Sequence, residues 1–249
     1  MNEVLMTQIQ KTALVTGGSR GIGKAIAEDF SKNGIDVVVT GRDKERLRKT
    51  AEELETYGAR AFWIDADLGT DSGIDRIYSF LKEKKLEANI LVNNAAIIHL
   101  STHLIDFDME NWQEVINVNL IGAVKITKLL LPSMVSQNYG KIINISSIGG
   151  RRGAAGRSAY RVTKAGLISF TESLAAEVKS SGIDVNCICP GSVVTEGYVE
   201  AFGQNSIEND HMMQPSEIAT LCTFLVGEDS SAVTGAIIDA YGPSNPLFR

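Results

Sequence analysis

Short apolar runs alternate with longer segments whose apolar positions recur every three or four residues, along nearly the whole chain. The runs over 12–16 (TALVT), 36–40 (DVVVT), 60–66, 89–93 (NILVN), 141–146, 184–189 and 236–240 read as strands. Helices are predicted over 21–32, 43–57, 73–84, 109–137, 158–180 and 215–227. The first carries Ile22, Ala25, Ile26 and Phe30 on one face and stops at Asn33-Gly34. The second turns Leu47, Ala51 and Leu54 inward among charges and ends at Gly58. Pro132 lies inside the fourth, where it would ordinarily force a break after Leu131. The periodicity continues through Met134 and Val135, so one helix is predicted there. Strands of continuous apolar character, each followed by a helix, predict a parallel sheet covered on both faces, doubly wound, in a single α/β domain over 1–249. Residues 1–10 read as a flexible N-terminus.

In such sheets ligands sit beyond the carboxyl ends of the strands, which makes the turns the segments to inspect. The first turn is Thr16-Gly17-Gly18-Ser19-Arg20-Gly21-Ile22-Gly23, between a strand and a helix. That is the context of a phosphate-binding loop, where helix N–H groups face an anion. Gly17 permits the tight turn, Gly21 close approach of the backbone to a pyrophosphate, and Gly23 close helix packing. The spacing is Gly-x-x-x-Gly-x-Gly, and the sheet is accordingly expected to be of the Rossmann type, with about seven strands.

Tyr160 and Lys164 lie four residues apart, on one face of the predicted 158–180 helix. A phenol near pKa ~10 is a poor acid–base group at neutral pH, and a fixed ammonium beside it would draw that value down. Ser147, thirteen residues before Tyr160, could hold a carbonyl oxygen while the phenol protonates it. The spacing alone equally fits an exposed Tyr/Lys pair on an ordinary amphipathic helix.

Six motifs in one order resemble the single-domain branch of the short-chain dehydrogenase/reductase family, over about 11–241. They are the TGGSRGIG loop, Asn93-Asn94-Ala95-Ala96, Asn119 within VNLIG, Ser147, the Tyr160/Lys164 pair, and Pro190-Gly191-Ser192-Val193-Val194-Thr195. The resemblance implies a hydride-transferring enzyme in which Tyr160 exchanges a proton with the substrate oxygen and Ser147 polarises that oxygen. Lys164 would bond the nicotinamide ribose and lower the Tyr160 pKa, and Asn119 would anchor a water in the proton relay. Gly17, Ser19, Arg20, Gly21, Ile22 and Gly23 would hold the pyrophosphate side. Asn94 and Ala95 would line the adenosine ribose side, and Asp67-Leu68 the adenine. Pro190, the Val193 backbone and Thr195 would seat the nicotinamide. Where NAD-specific relatives end the second strand in a carboxylate, this chain has Gly41 followed by Arg42. With Arg20 this predicts preference for NADP(H), with NAD(H) as the alternative cofactor.

Loop and catalytic motifs are similar to those of the 3-oxoacyl-carrier-protein reductases, which implies a ketone or 3-oxoacyl thioester substrate, small or bound to an acyl carrier protein. A sugar, polyol or steroid-like alcohol dehydrogenase would use the same machinery. A protein that senses the nucleotide without turnover would have no need of the complete Asn119, Ser147, Tyr160 and Lys164 set. The chain departs from the family at Ala96, which stands for a glycine beside the cofactor, and at DAYGPSNPLFR near the end. A shortened substrate lid is expected over 196–214, with Tyr198, Phe202 and Met212 facing either the pocket or one another. Arg151, Arg152, Arg157 and Arg161 surround the active-site segment and suit either an acidic partner or a subunit contact.

Composition narrows the partners. The 249 residues carry 24 basic and 30 acidic side chains, a net charge of −6, which argues against nucleic acid. No apolar run reaches membrane-spanning length and the first residues have no basic-then-apolar pattern, so no membrane association and a cytoplasmic location are expected. Cys187, Cys189 and Cys222 have no metal-ligand spacing; buried reduced thiols and no metal are predicted. The family resemblance implies a homotetramer or homodimer, with the 109–137 and 158–180 helices as contact surfaces.

Overall fold

The computed structural model describes residues 10–207 and 212–244. The N-terminal expectation for 1–10 and the 208–211 part of the lid therefore lie almost wholly outside the described residues. Seven parallel strands form one sheet in the order β3-β2-β1-β4-β5-β6-β7. They are β1 (Thr12–Thr16), β2 (Asp36–Gly41), β3 (Ala61–Asp65), β4 (Ile90–Asn93), β5 (Gly140–Ile145), β6 (Ile183–Pro190) and β7 (Ile237–Ala240). The helices are α1 (Gly21–Lys32), α2 (Lys44–Glu55), α3 (Asp71–Lys84), α4 (Met109–Ile116), α5 (Gly122–Gln137), α6 (Ser158–Val178), α7 (Glu196–Phe202) and α8 (Pro215–Val226).

Alternation along each strand divides the core into two layers. Ala13, Val15, Val37 and Val39 pack with Ile26 and Phe30 of α1, Leu47 and Leu54 of α2 and Ile218 and Leu225 of α8. Leu14, Val38 and Leu91 face the other way, onto Ile77 of α3, Ile126 and Met134 of α5 and Leu174 and Val178 of α6. Each fully buried Phe, Leu or Ile contributes roughly 1.5–3 kcal/mol of transfer free energy, which is what holds the helices against both faces. The strand order reverses between β1 and β4, and this is where a doubly wound sheet opens a crevice.

The predicted elements recur with differences that have local causes. Helix α3 starts at Asp71, earlier than predicted, because the Thr70 hydroxyl caps Gly73 N at 3.1 Å. A methyl on Gly73 would lie 2.0 Å from Asp67 O, so this helix start is packed tightly on the turn after β3. The 109–137 helix is continuous but not uniform: Asn117–Ile121 form a π-helical segment between α4 and α5. Pro132 stays inside α5 on its exposed side, where Lys128 is exposed too and water can take the lost backbone bond. Helix α7, in the segment expected only to be a short lid, is capped by Thr195, whose hydroxyl accepts Tyr198 N at 3.1 Å.

One expectation needs correction. Met109–Gln137 taken as one helix is 29 residues long and contains an 18-residue stretch of mean hydropathy 1.4, enough by length and composition to cross a membrane. Here it lines the sheet, burying Ile126, Leu130 and Met134. The three cysteines are buried and unpaired.

Candidate active site

The crevice between the β1 and β4 ends is built by the first glycine turn and Asn94. Thr16 Oγ1 donates to Val92 O at 3.1 Å and accepts Asn94 N at 2.9 Å. The Asn94 amide in turn donates to Thr16 O at 2.9 Å and Gly17 O at 3.2 Å. Gly17 has φ +65° and Gly21 φ +55°, in the left-handed region that side chains resist. A methyl on Gly17 would lie 2.9 Å from Ala95 Cα, and one on Gly23 would lie 2.3 Å from Gly17 O. The turn therefore closes against the β4 end and leaves the start of α1, which has no side-chain cap, facing the crevice. That cradle fits the pyrophosphate of a dinucleotide.

A cleft of about 500 Å³ runs from this turn to Tyr160. The wall includes Gly17, Ser19, Arg20, Gly21, Ile22, Arg42, Asp67, Leu68, Asn94, Ala95, Ser147, Tyr160, Lys164, Pro190, Val193 and Thr195. Two predicted residues are not on the wall. Gly23 sits behind the turn as a packing position. Asn119 lies in the π segment and is 1% exposed.

The Asn119 side chain is held within the protein. Its carbonyl accepts Ile97 N at 2.7 Å, and its amide donates to Ile97 O at 3.0 Å and Thr163 Oγ1 at 3.3 Å. Its polar atoms are thus engaged with the loop after β4 and the helix of Tyr160. The π segment is what turns this side chain inward from an otherwise regular helix face.

Ser147 is extended, at φ −171°, and its hydroxyl oxygen accepts Gly149 N at 2.9 Å. That bond leaves the hydroxyl proton to donate elsewhere. A methyl on Gly149 would lie 3.3 Å from Ser147 Oγ and 3.4 Å from Tyr160 Cε1, so the two side chains converge beside this glycine. The Lys164 Nζ is 5.5 Å from the centre of the Tyr160 ring and donates to Ile145 O at 2.8 Å. The Lys164 backbone is pinned by Ser146 Oγ, which donates to its carbonyl at 2.7 Å.

The electrostatics differ from the simple expectation. Burial pushes the Tyr160 phenol up, while the Ser147 hydroxyl, Arg161 and Arg157 pull it down. Lys164 is not among the groups that lower it. Burial instead brings Lys164 down to about 8, resisted by Cys187 and Cys189. A nearby ammonium was expected to dominate; desolvation does.

Sequence reasoning missed His99. Its Nδ1 donates to Leu100 O at 2.6 Å, which leaves Nε2 as an acceptor for Tyr160 N at 3.4 Å. The residue before α6, Arg157, offers no side-chain cap, so His99 supplies one from the loop after β4. The His99 ring is held edge-on to Phe107 at 4.7 Å, and Arg157 donates to its carbonyl. No local pattern announces a cap that comes from 61 residues away.

The remaining candidates resolve individually. Asp67 accepts Gly69 N at 2.8 Å, and Asp65 pairs with Arg76 at 2.8 Å. Tyr198 and Phe202 both line the cleft and also stack on each other at 4.5 Å; Met212 is not on the wall. Ala96 lines the cleft. Arg151 pairs with Asp239 at 2.8 Å, and Arg161 donates to Arg152 O. Arg157 donates to Ala201 O at 3.4 Å and lies 4.2 Å over Phe202. Among the described residues no group of three or more His, Cys, Asp or Glu is placed to hold a metal.

A parallel sheet with a glycine cradle at its switch point and Tyr, Lys and Ser at the far end of one cleft defines a dinucleotide-dependent oxidoreductase. The chain belongs to the short-chain dehydrogenase family, whose model matches residues 11–205. It is 36% identical over 241 residues to the 3-oxoacyl-[acyl-carrier-protein] reductase FabG of Aquifex aeolicus, covering 93% of this chain and 96% of that one. A 3-oxoacyl-[acyl-carrier protein] reductase from Brucella melitensis with bound NAD superposes at TM-score 0.84, with 31% identity over 94% of this chain and 90% of that one. An actinorhodin polyketide ketoreductase with NADPH superposes at TM-score 0.86, with 30% identity over 95% and 98%. The protein is an NAD(P)-dependent oxidoreductase of this family.

Proposed function

We propose that the protein reduces the ketone of a 3-oxoacyl thioester to a secondary alcohol, or runs the reverse reaction, with NADP(H). The observation that carries this is the convergence of Ser147 and Tyr160 across Gly149, at the end of a cleft that begins at the glycine cradle. The cofactor supplies or accepts the hydride. Ser147 donates its hydroxyl proton to the substrate oxygen. Tyr160 holds the proton that completes the alcohol, and the burial that raises its pKa keeps the phenol protonated for that donation. Lys164 and Ser146 fix the helix turn behind Tyr160, and Asn119 and His99 fix its approach from the other side.

NADP(H) preference rests on Gly41, which ends β2 without a side-chain carboxylate, with Arg42 and Arg20 on the same wall. The thioester assignment rests on the names of relatives at this identity, with Arg157 and Arg161 on the cleft wall to favour an acyl-carrier-protein-bound substrate. Assembly as a homotetramer would cover the exposed Ile121, Val135 and Val162 of the two long helices. A steady-state screen of 3-oxoacyl thioesters, simple ketones and sugars with both cofactors tests the substrate. Tyr160→Phe should abolish turnover and leave NADPH affinity within about twofold; retained turnover would remove the phenol from the mechanism.

A further inference from the structure

The arginines around the adenosine end of the cleft are all engaged by carboxylates. Arg20, in the glycine turn, makes a two-pronged pair with Glu200, one prong at 2.9 Å, and sits 3.7 Å from Glu196. Arg46, at the start of α2, pairs with Glu196 at 2.6 Å. Arg42 pairs with Glu114 of α4 at 3.3 Å. Glu196 and Glu200 are one turn apart on α7, so a single face of this short helix is strapped to the glycine turn and α2. The pairing raises the Arg20 pKa and lowers that of Glu200, each through the other.

The same helix reaches the substrate end. Tyr198 and Phe202 line the cleft, and Phe202 lies under Arg157, whose carbonyl partners are His99 and Ala201. Helix α7 therefore touches both halves of the cleft, its carboxylates on one face and its aromatics on another. A 2′-phosphate carries close to two negative charges at neutral pH and seeks the planar donors that the lid carboxylates now hold.

We infer that Glu200 and Glu196 determine cofactor choice in this protein by competing with the 2′-phosphate of NADP(H) for Arg20 and Arg46. This rests on the NADP(H) reading above. The strap favours a cofactor without that phosphate, which can enter with Arg20 still paired. A phosphorylated cofactor must displace Glu200, and so loosens α7 over the substrate. By reciprocity, anything that holds α7 shut weakens NADP(H) relative to NAD(H) by the same factor.

The test is equilibrium titration of NADPH and NADH, read by cofactor fluorescence at fixed ionic strength, on the full chain. Glu200→Gln should tighten NADPH about fivefold, the upper range for releasing one exposed ion pair, and change NADH by less than about twofold. The double variant Glu196→Gln/Glu200→Gln should extend that gain in the same direction. Unchanged or weaker NADPH binding, or equal tightening of both cofactors, would overturn the strap. Arg20→Ala separates the two readings. If it weakens NADPH selectively while Glu200→Gln changes neither cofactor, the NADP(H) assignment stands and the competition fails. If it weakens both cofactors equally, both fail.

Discussion

Lys164 is 2% exposed, and burial brings its pKa from an ordinary 10.5 to about 8. The gap of about 2.5 units corresponds to about 3 kcal/mol by which the fold is destabilised while the ammonium is kept charged. Below pH 8 folded and unfolded chains both hold the proton, and the folded chain carries the whole cost. Between about 8 and 10.5 the unfolded chain keeps its proton and the folded chain has lost it, so stability from this group rises with pH. At pH 9.5 the remaining cost is about 1 kcal/mol by the same linkage. Lys164→Met removes the titration and keeps most of the side-chain volume. It also removes the donor to Ile145 O, a loss of about 1–3 kcal/mol that does not depend on pH. The stability difference between variant and wild type should therefore shift by about 2 kcal/mol toward wild type from pH 7 to 9.5. Subtraction also cancels Tyr139 and Tyr241, whose raised values begin to cost stability only as the pH approaches 10. Urea unfolding of both proteins, without added cofactor and at one protein concentration, measures the shift. A difference that stays constant across that range would mean Lys164 is not held in a costly charged state.

Two further outcomes follow from the geometry. His99→Leu removes the acceptor for Tyr160 N and should lower kcat about fivefold, the worth of a typical cap, with KM for the cofactor little changed. His99→Gln, whose amide oxygen can take the same bond, should restore most of the rate, and steady-state kinetics separates that from a general packing loss. Gly23→Ala places a methyl 2.3 Å from Gly17 O and 2.4 Å from Asn94 Nδ2, so thermal unfolding should show a loss of about 1–3 kcal/mol and fluorescence titration a cofactor weakened more than about tenfold.

Local signals carried much of the fold. The strand at Thr12–Thr16 and the helix at Gly21–Lys32 match their predicted bounds because a glycine turn and Asn33-Gly34 punctuate them. The cleft wall was legible wherever a motif sat at a strand end, as at Gly17, Asn94, Ser147 and Thr195. What escaped depends on residues distant in sequence. The Arg20–Glu200 pair spans 180 residues and the His99 cap 61. The balance at Tyr160 escaped because spacing does not report burial, which raises its pKa against the pull of the Ser147 hydroxyl, Arg161 and Arg157. Helix α7 is one short stretch whose only local mark is a capping threonine before an acidic residue. The π segment was hidden because its neighbours on both sides keep ordinary helical periodicity.

That π segment makes the residue count of the helix part of how the helix of Tyr160 is held. One residue turns a regular helix by about 100°, so α4 and α5 are held out of phase by the wider turn at Asn117–Ile121. Loss of a single codon there would let the backbone relax into an unbroken α-helix, a locally more regular structure. It would also swing Asn119 off Ile97 and Thr163 and rotate α4 relative to the sheet-bound α5. Circular dichroism would then record helix retained while turnover disappears. At this point of the chain, a mutation that improves the secondary structure is the one that disarms the enzyme.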